Sequence, residues 1–487
     1  MIVSMQSLSL RDTLVRSPAM VAALALALGG VVGGASAFGP LYAFAGLLAL
    51  LAAALMLVST QVGLLTVFAI VTLIPFATLP FRAIITPNFL TLALLALTGV
   101  WVLRMLARPD QYDLRLTSLA LPLFGFLSLT LFSLILGARG LPDTTTLHNY
   151  VKFILGVLLY VSVVNTVRTR TQARQALRGL ILVGGGAALV ALILWALNDA
   201  WTLRILVSLG PLGYPTSGRV LRYVEDDVTG LERAIGFSVD PNSFGGMLAL
   251  VVAIAAAQLV AVRPLLPRWS LAVIVTLMTV ALLLTFSRAA LFGLIFAAAY
   301  LATMRYRQLW GVMVGVGVVG AILLLTLGFG EEFVTRMVSG VQFEDQAQQM
   351  RLAEFRNALA IIERYPAFGI GFGQAPDLDL TAGVSSIYLA IGQRIGLIGL
   401  AAFLGTVGAW FLTTIKALKV IDEERVSWVL GCQAGIVAAL AVGLADHYFF
   451  NIEFSHMVAL FWGTMGMAMA VVDLPADGED AQPSPSP

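Results

Sequence analysis

The chain has 487 residues, 59% of them apolar and 11% charged, with a mean hydropathy of +0.93. Soluble domains are close to half apolar and a quarter charged, so this composition excludes a soluble globular protein, and a disordered or collagen-like one as well. Basic and acidic residues nearly balance, 29 against 27, which excludes a bulk polyanion binder such as a nucleic-acid protein, and three His with one Cys exclude a cysteine-based metal site and a disulfide framework.

A membrane-spanning helix needs about 20 apolar residues. Apolar runs bounded by Pro, Gly and charge fall at 19–37, 40–58, 61–80, 87–106, 117–137, 149–167, 179–198, 240–262, 269–287, 288–303, 309–328, 385–415, 427–446 and 454–472. They are continuously apolar, without two-residue alternation, and so read as helices and not barrel strands. The expectation is an all-α polytopic membrane protein of about 12–14 transmembrane helices. Residues 1–472 then form a single multi-span membrane domain, and 473–487 an acidic, Pro/Ser-rich disordered tail. The run at 288–303 is short and abuts its predecessor, and the first third of the run at 385–415 is expected to be re-entrant or outside the bilayer. Arg11 and Arg16 ahead of an apolar run ending in Ala35-Ser36-Ala37 have the form of a signal peptide. A second apolar run follows at once, which favours a first span.

With the N-terminus in the cytoplasm, sixteen of the 29 basic residues fall on that side, clustered at 104–115, 168–178, 263–268 and 305–307. This satisfies the positive-inside rule and places the C-terminus inside too. Of the other thirteen, eight lie in two long outer segments, 199–239 and 329–384, and long loops escape the rule. No soluble catalytic domain remains, so any chemistry belongs to the membrane and to these two segments.

The first outer segment carries Arg219, Arg222, Glu225-Asp226-Asp227 and Arg233, then Asp240-Pro241-Asn242 at the start of an apolar run. Asp before Pro predicts an N-cap followed by Pro at the first helical position. The start of that helix can bind phosphate, although cap and solvated loop explain the residues equally well. In the second segment, Leu352, Phe355, Leu359 and Ile362 recur at three and four residues, with Arg351, Glu354, Arg356 and Glu363 between them. This predicts an amphipathic helix on the outer surface or on the roof of the bundle, ending at Tyr365-Pro366. Gly369, Gly371 and Gly373 follow as a flexible tight turn.

Arg288 sits inside an apolar stretch, where an unpaired guanidinium costs several kcal/mol. It must meet an anion, either a carboxylate such as Asp240 or Asp446, or an anionic ligand held bidentately. Lys152 and Arg394 pose the same question less sharply. The three His, His148, His447 and His456, all lie toward the outer side; His447, between Asp446 and Glu453, is the best general-base candidate of the three.

These motifs have a familiar order. Arg233-Ala234-Ile235-Gly236-Phe237 through Asp240-Pro241-Asn242, an apolar helix, then Thr285-Phe286-Ser287-Arg288, resembles the core of the bacterial O-antigen ligase and polymerase superfamily. The run from Arg351 through Asn357-Ala358-Leu359 to Pro366-Ala367-Phe368-Gly369-Ile370-Gly371-Phe372-Gly373 is similar to its large periplasmic loop. Ser385-Ser386, nine residues and Gly396-Leu397-Ile398-Gly399 resembles the ligase motif of His, then Asn, Ser or Gln, nine residues and Gly-x-x-Gly.

The resemblance implies a GT-C-type glycosyltransferase of the bacterial cytoplasmic membrane, needing no metal or other cofactor. It would transfer oligosaccharide from undecaprenyl diphosphate to a sugar hydroxyl on another lipid-linked glycan (polymerase) or on lipid A core (ligase), with a chain-length regulator as a partner. Arg233, Arg288 and Arg351 would stabilise the diphosphate leaving group. Asp240, Asn242, Arg219, Arg222, Arg356, Ser385 and Ser386 would bind substrate. One departure matters: the ligase His falls on Ser385, which cannot act as a base near neutral pH. That tilts the reading toward polymerase and leaves the base to His447 or Glu363. A lipid-linked glycan transporter is the rival class, but no internal repeat supports it.

Overall fold

The computed structural model describes residues 59–79, 88–109, 113–137, 142–326, 346–373 and 384–475, with five isolated positions before residue 59. Among these residues there is no strand beyond two isolated bridges. The helices are α1 (Thr60–Leu73), α2 (Phe89–Ala107), α3 (Ala120–Gly137), α4 (Thr144–Thr166), α5 (Arg170–Ala196), α6 (Asp199–Ser208) and α7 (Pro241–Leu259). They continue as α8 (Arg268–Leu284), α9 (Arg288–Met304), α10 (Gln308–Thr326), α11 (Gln346–Arg364), α12 (Ile387–Ala417), α13 (Glu423–Val442) and α14 (Ser455–Val472).

Seven of these helices are long and apolar enough to cross a membrane, and five more are shorter but apolar. Each of the twelve coincides with one of the apolar runs from residue 61 onward. The chain is an all-α polytopic membrane protein. The first two runs, the signal-peptide reading, Arg11, Arg16, Arg82, Arg139, Arg336 and the tail from 476 lie outside the described residues. The remaining helices, α6 and α11, are the more polar ones and lie in the two long segments.

Local signals start these helices. Asp143, Asn198 and Asp422 cap α4, α6 and α13 through backbone N–H bonds, and Thr169 with Gln172 forms a capping box on α5. The centre is built from α7, α13 and α14, whose apolar stretches are 83%, 83% and 94% buried, so they are enclosed on every side. The outer helices keep an apolar face exposed, as at Leu121 on α3, 84% exposed, and Val314 on α10, 64%. Such a belt suits contact with lipid.

α9 does not fold back along α8 but packs mainly on α13 and α7. A Cβ at Gly293 would meet the Ala438 carbonyl at 2.8 Å, and one at Gly245 would meet Ala290 at 2.9 Å, so small residues permit this approach.

The two ends of the bundle differ. At one end, arginines are pinned to carboxylates, most of them on other elements. Arg170 and Arg425 share Asp422 at 2.9 and 2.6 Å, Arg174 pairs with Glu424, Arg168 with Asp113, and Arg305 with Glu423 at 2.5 Å. Orientation alone had accounted for these residues in the sequence; they also lock α5, α9 and α13 together.

The opposite end carries α6, α11 and a break in α12. Gly396 has φ +72° and splits that helix after its first nine residues. The 366–371 strand of loop lies in the break. Ile370 N and Gly371 N donate to the Gln393 and Arg394 carbonyls at 3.0 and 2.8 Å, and Leu397 N donates to the Pro366 carbonyl at 2.7 Å. The carbonyls and N–H groups orphaned by the break are thus satisfied. Arg394 Nη1 donates to the Gly373 carbonyl at 2.5 Å, and Ser133 Oγ to the Phe368 carbonyl at 2.8 Å. The glycines expected to form a flexible turn are therefore fixed by backbone bonding.

Candidate active site

Residues 222–233 form a short hairpin, with Arg233 N donating to the Arg222 carbonyl at 2.8 Å and Val224 N to the Leu231 carbonyl at 3.0 Å. Ala234 N then donates to the Leu284 carbonyl at 2.8 Å, docking the hairpin base on the end of α8. Arg233 is thereby delivered between two helix starts. Its Nε donates to the Thr285 carbonyl at 2.7 Å, ahead of α9, and its Nη2 to Asn242 Oδ1 at 2.5 Å, in the first turn of α7. Asp240 caps α7 through Ser243 N at 2.7 Å with Pro241 in the first turn, and Ser287 caps α9 through Ala290 N. Two positive helix ends and a guanidinium meet here, an arrangement suited to an anion.

Both supporting turns are strained. Val239 has φ +63° and Phe286 φ +51°. Left-handed backbone at such residues costs roughly 1–3 kcal/mol each. Arg222 Nε holds the first turn by donating to the Val239 carbonyl at 3.2 Å. Arg288 is the first residue of α9, half-buried, directly after the second turn.

α11 enters from the side. Its inward stripe is Arg351, Glu354, Ala358 and Ile361; Ala358 and Ile361 are buried, while Leu359 is 56% exposed. Of the expected apolar stripe, Leu352, Phe355 and Ile362 are half-buried and only Leu359 is exposed, while Arg351 and Glu354 are half-buried beside them. Arg351 stands 3.7 Å from Asp446, which follows α13 and is 3% exposed. Glu354 Oε2 accepts from Ser385 N at 3.0 Å and Ser385 Oγ at 2.7 Å. Ser386 Oγ donates to the Gly443 carbonyl at 3.2 Å, tying α12 to the end of α13.

Asp446 joins the halves of the site. It feels the charges of Arg351, Arg233, Asp240 and Glu354. Burial, more than any neighbour, pushes its carboxyl up to about 7, against the pull of the two arginines. Its Oδ2 has no hydrogen-bond partner among the described residues. Tyr448 closes the cluster, its hydroxyl bonded to Asp240 and Asn242. Burial lowers Arg233 from the usual guanidinium range, with Asp240, Tyr448 and Asp446 opposing that shift.

Of the residues singled out in the sequence, Arg233, Asp240, Asn242, Arg222, Arg351 and Ser385 come together, with Arg288 on the adjoining turn. Arg219 instead pairs with Asp226 at 2.8 Å on an exposed loop. Arg356 and Glu363 are exposed on α11, and Glu363 lies about 13 Å along the helix from Glu354. His447 adjoins the cluster; burial is the main influence on its imidazole and holds its pKa below the ordinary value. Asp446, one of the carboxylates considered for Arg288, pairs with Arg351. Sequence reasoning missed Tyr448 and the roles of Glu354 and Asp446. The spacing of Arg351, Glu354, Ala358 and Ile361, a second helical stripe, was the available signal.

The arrangement brings guanidinium groups and helix starts for an anion beside a carboxyl able to exchange a proton near neutrality. No curated protein matches the chain. Residues 273–404, from α8 to the second half of α12, match the family model described as O-antigen ligase. The matched stretch includes Arg288, Arg351, Glu354, Ser385 and the Gly396 break, and this similarity over residues 273–404 supports the resemblance to the O-antigen ligase and polymerase superfamily of membrane proteins.

Proposed function

We propose that the chain is a glycan polymerase that transfers oligosaccharide from undecaprenyl diphosphate to a sugar hydroxyl, at the outer face of the bacterial cytoplasmic membrane. The arginine-pinned end then faces the cytoplasm with both termini, and the end carrying α6 and α11 faces outward. The observation that carries this reading is the meeting of Arg233, Asn242, Asp240, Asp446 and Arg351 at one end of the bundle.

The reaction is a direct displacement at the anomeric carbon. The acceptor hydroxyl oxygen forms the new glycosidic bond and its proton passes to ionised Asp446. The bond from the anomeric carbon to the phosphate oxygen breaks, and its electron pair leaves with the diphosphate. Arg233, Arg288 and Arg351, with the starts of α7 and α9, stabilise the charge that grows on that leaving group. Asp446 takes the place of His447 and Glu363 as base, because its raised carboxyl is buried beside both arginines.

Transfer to lipid A core is the second reading, favoured by the description of the matched family. Ser385 at the ligase His position, donating to Glu354 and unable to serve as a base, favours polymerase. Reconstitution decides between them. Purified protein given undecaprenyl-diphosphate oligosaccharide alone should produce a ladder. Transfer only after lipid A core is added identifies a ligase, and lipid scrambling without glycan transfer identifies a transporter.

A further inference from the structure

We propose that Tyr448 is a positioning residue that sets Arg233 for the diphosphate through the side-chain amide of Asn242. This rests on the glycan-transfer reading and names a further residue of the same site. Two of the N–H groups of Arg233 are already taken: Nε by the Thr285 carbonyl at 2.7 Å, and one on Nη2 by Asn242 Oδ1 at 2.5 Å. They lie along one edge of the guanidinium. The other edge, between Nη1 and Nη2, has no hydrogen-bond partner among the described residues. Its parallel N–H groups can grip two phosphate oxygens at once. The two acceptors behind it decide where that edge points. One is a backbone carbonyl fixed at the end of α8. The other belongs to an amide, which can turn over.

Tyr448 fixes that amide. Asn242 Oδ1 accepts from Arg233, so Nδ2 is the group that donates to the Tyr448 oxygen, and the Tyr448 hydroxyl is left to donate to Asp240. The chain of bonds thus runs one way, from the guanidinium through Asn242 and Tyr448 to a carboxylate that also caps α7. The two flips of an amide have the same shape, and hydrogen bonds choose between them. The reverse flip would set donor against donor at Arg233. The hydroxyl itself is held in place: Tyr448 is 6% exposed, and its ring stacks on His447 at 4.7 Å and meets Phe454 edge-on at 4.6 Å. Asp446 lies in the same short connection between α13 and α14, so the tyrosine also sets the guanidinium relative to the base. Arg233, Asp240, Asn242 and Tyr448 all lie outside the matched stretch 273–404, so the match itself gives them no role.

The test uses the full chain in lipid nanodiscs and farnesyl diphosphate as probe, with binding read by isothermal titration calorimetry. Tyr448→Phe removes the hydroxyl, keeps the ring contacts and should weaken binding about tenfold. Asn242→Ala should weaken it similarly, and the double variant should bind no worse than Asn242→Ala alone, because the tyrosine acts through the amide. A tyrosine that served folding only would add its effect to that of Asn242→Ala. Additive losses, or unchanged binding in folded Tyr448→Phe, overturn the proposal. Asp240→Asn decides if Tyr448→Phe unfolds early in a thermal melt. It keeps a capping side chain but loses the acceptor-only group that directs the chain of bonds, so binding should weaken although a negative charge is gone. Stronger or unchanged binding there overturns the proposal, as does no binding to the unsubstituted protein. The expected losses without any glycan transfer keep the positioning role and overturn the enzyme reading. Glycan transfer at a rate unaffected by Tyr448→Phe keeps the enzyme reading and overturns the positioning role.

Discussion

Arg351 on α11 and Asp446 beyond α13 face each other at 3.7 Å, and this contact joins the loop helix to the membrane bundle at the site. Arg351→Ala leaves a buried carboxylate without its nearest cation, so Asp446 rises further above 7 and the leaving group loses a guanidinium. Glycan transfer should fall by about a hundredfold or more, with Arg351→Lys intermediate, measured as initial rates in proteoliposomes.

The protonation state of Asp446 sets a pH profile. Its folded pKa is raised to about 7, so the base form is scarce below that value and accumulates as pH rises through it. Transfer rates should climb between about pH 6 and 8 and then level. Asp446→Asn, a neutral isostere, should fold normally, lose about 10²–10⁴-fold in rate and show no such climb. A variant that keeps the climb would assign the base elsewhere.

At the opposite end, Asp422 caps α13 and receives both Arg170 and Arg425. Asp422→Ala removes the cap and leaves Arg425, 6% exposed, without its carboxylate. A loss of about 2–4 kcal/mol is expected, read as a lower unfolding temperature in detergent. Burial, the largest single influence, pushes the Asp422 carboxyl up, but the Arg425 N–H and the two arginines together outweigh it and hold the carboxyl below its ordinary value. Its contribution is therefore present above an unfolded pKa near 3.8 and is lost as pH falls through the lower folded value.

The proposed orientation can be read by labelling. Cys432 is buried and is the only cysteine of the chain. In a Cys432→Ala background, Ser217→Cys, on the exposed loop before Arg219, should react with a membrane-impermeant maleimide from outside whole spheroplasts. Arg307→Cys should react only after permeabilisation. The reverse pattern would invert the topology and remove the site from the outer face.

Much of the bundle was legible because lipid imposes one rule on every span: continuous apolar length. Twelve runs became twelve helices on that rule. The start of α7 was legible because Asp240-Pro241 is a local signal. The inward face of α11 was not. Its apolar residues lie on two overlapping stripes, and only the partner surface, with Glu354 reaching Ser385 and Arg351 reaching Asp446, decides which is buried. Asp446 was seen as a possible ion-pair partner but not as a base. Its raised carboxyl comes from burial, which requires α7, α11 and α13 in place together. The arginine pairs of the opposite end were hidden likewise, because all except the local Arg425–Asp422 pair join residues far apart in the chain.

The loop seated in the break of α12 makes chain length itself part of the site. Between Arg351 and Gly371 the polypeptide is a ruler, clamped at its far end by backbone bonds that admit one register only. Leu397, Ile370 and Gly371 all donate across that seam, and a Cβ at Gly369 would meet the Arg394 backbone at 2.6 Å. Adding or deleting one residue between Ile361 and Pro366 would rotate the guanidinium of Arg351 by about 100° around the helix axis, away from Asp446, without altering any residue of the charged cluster.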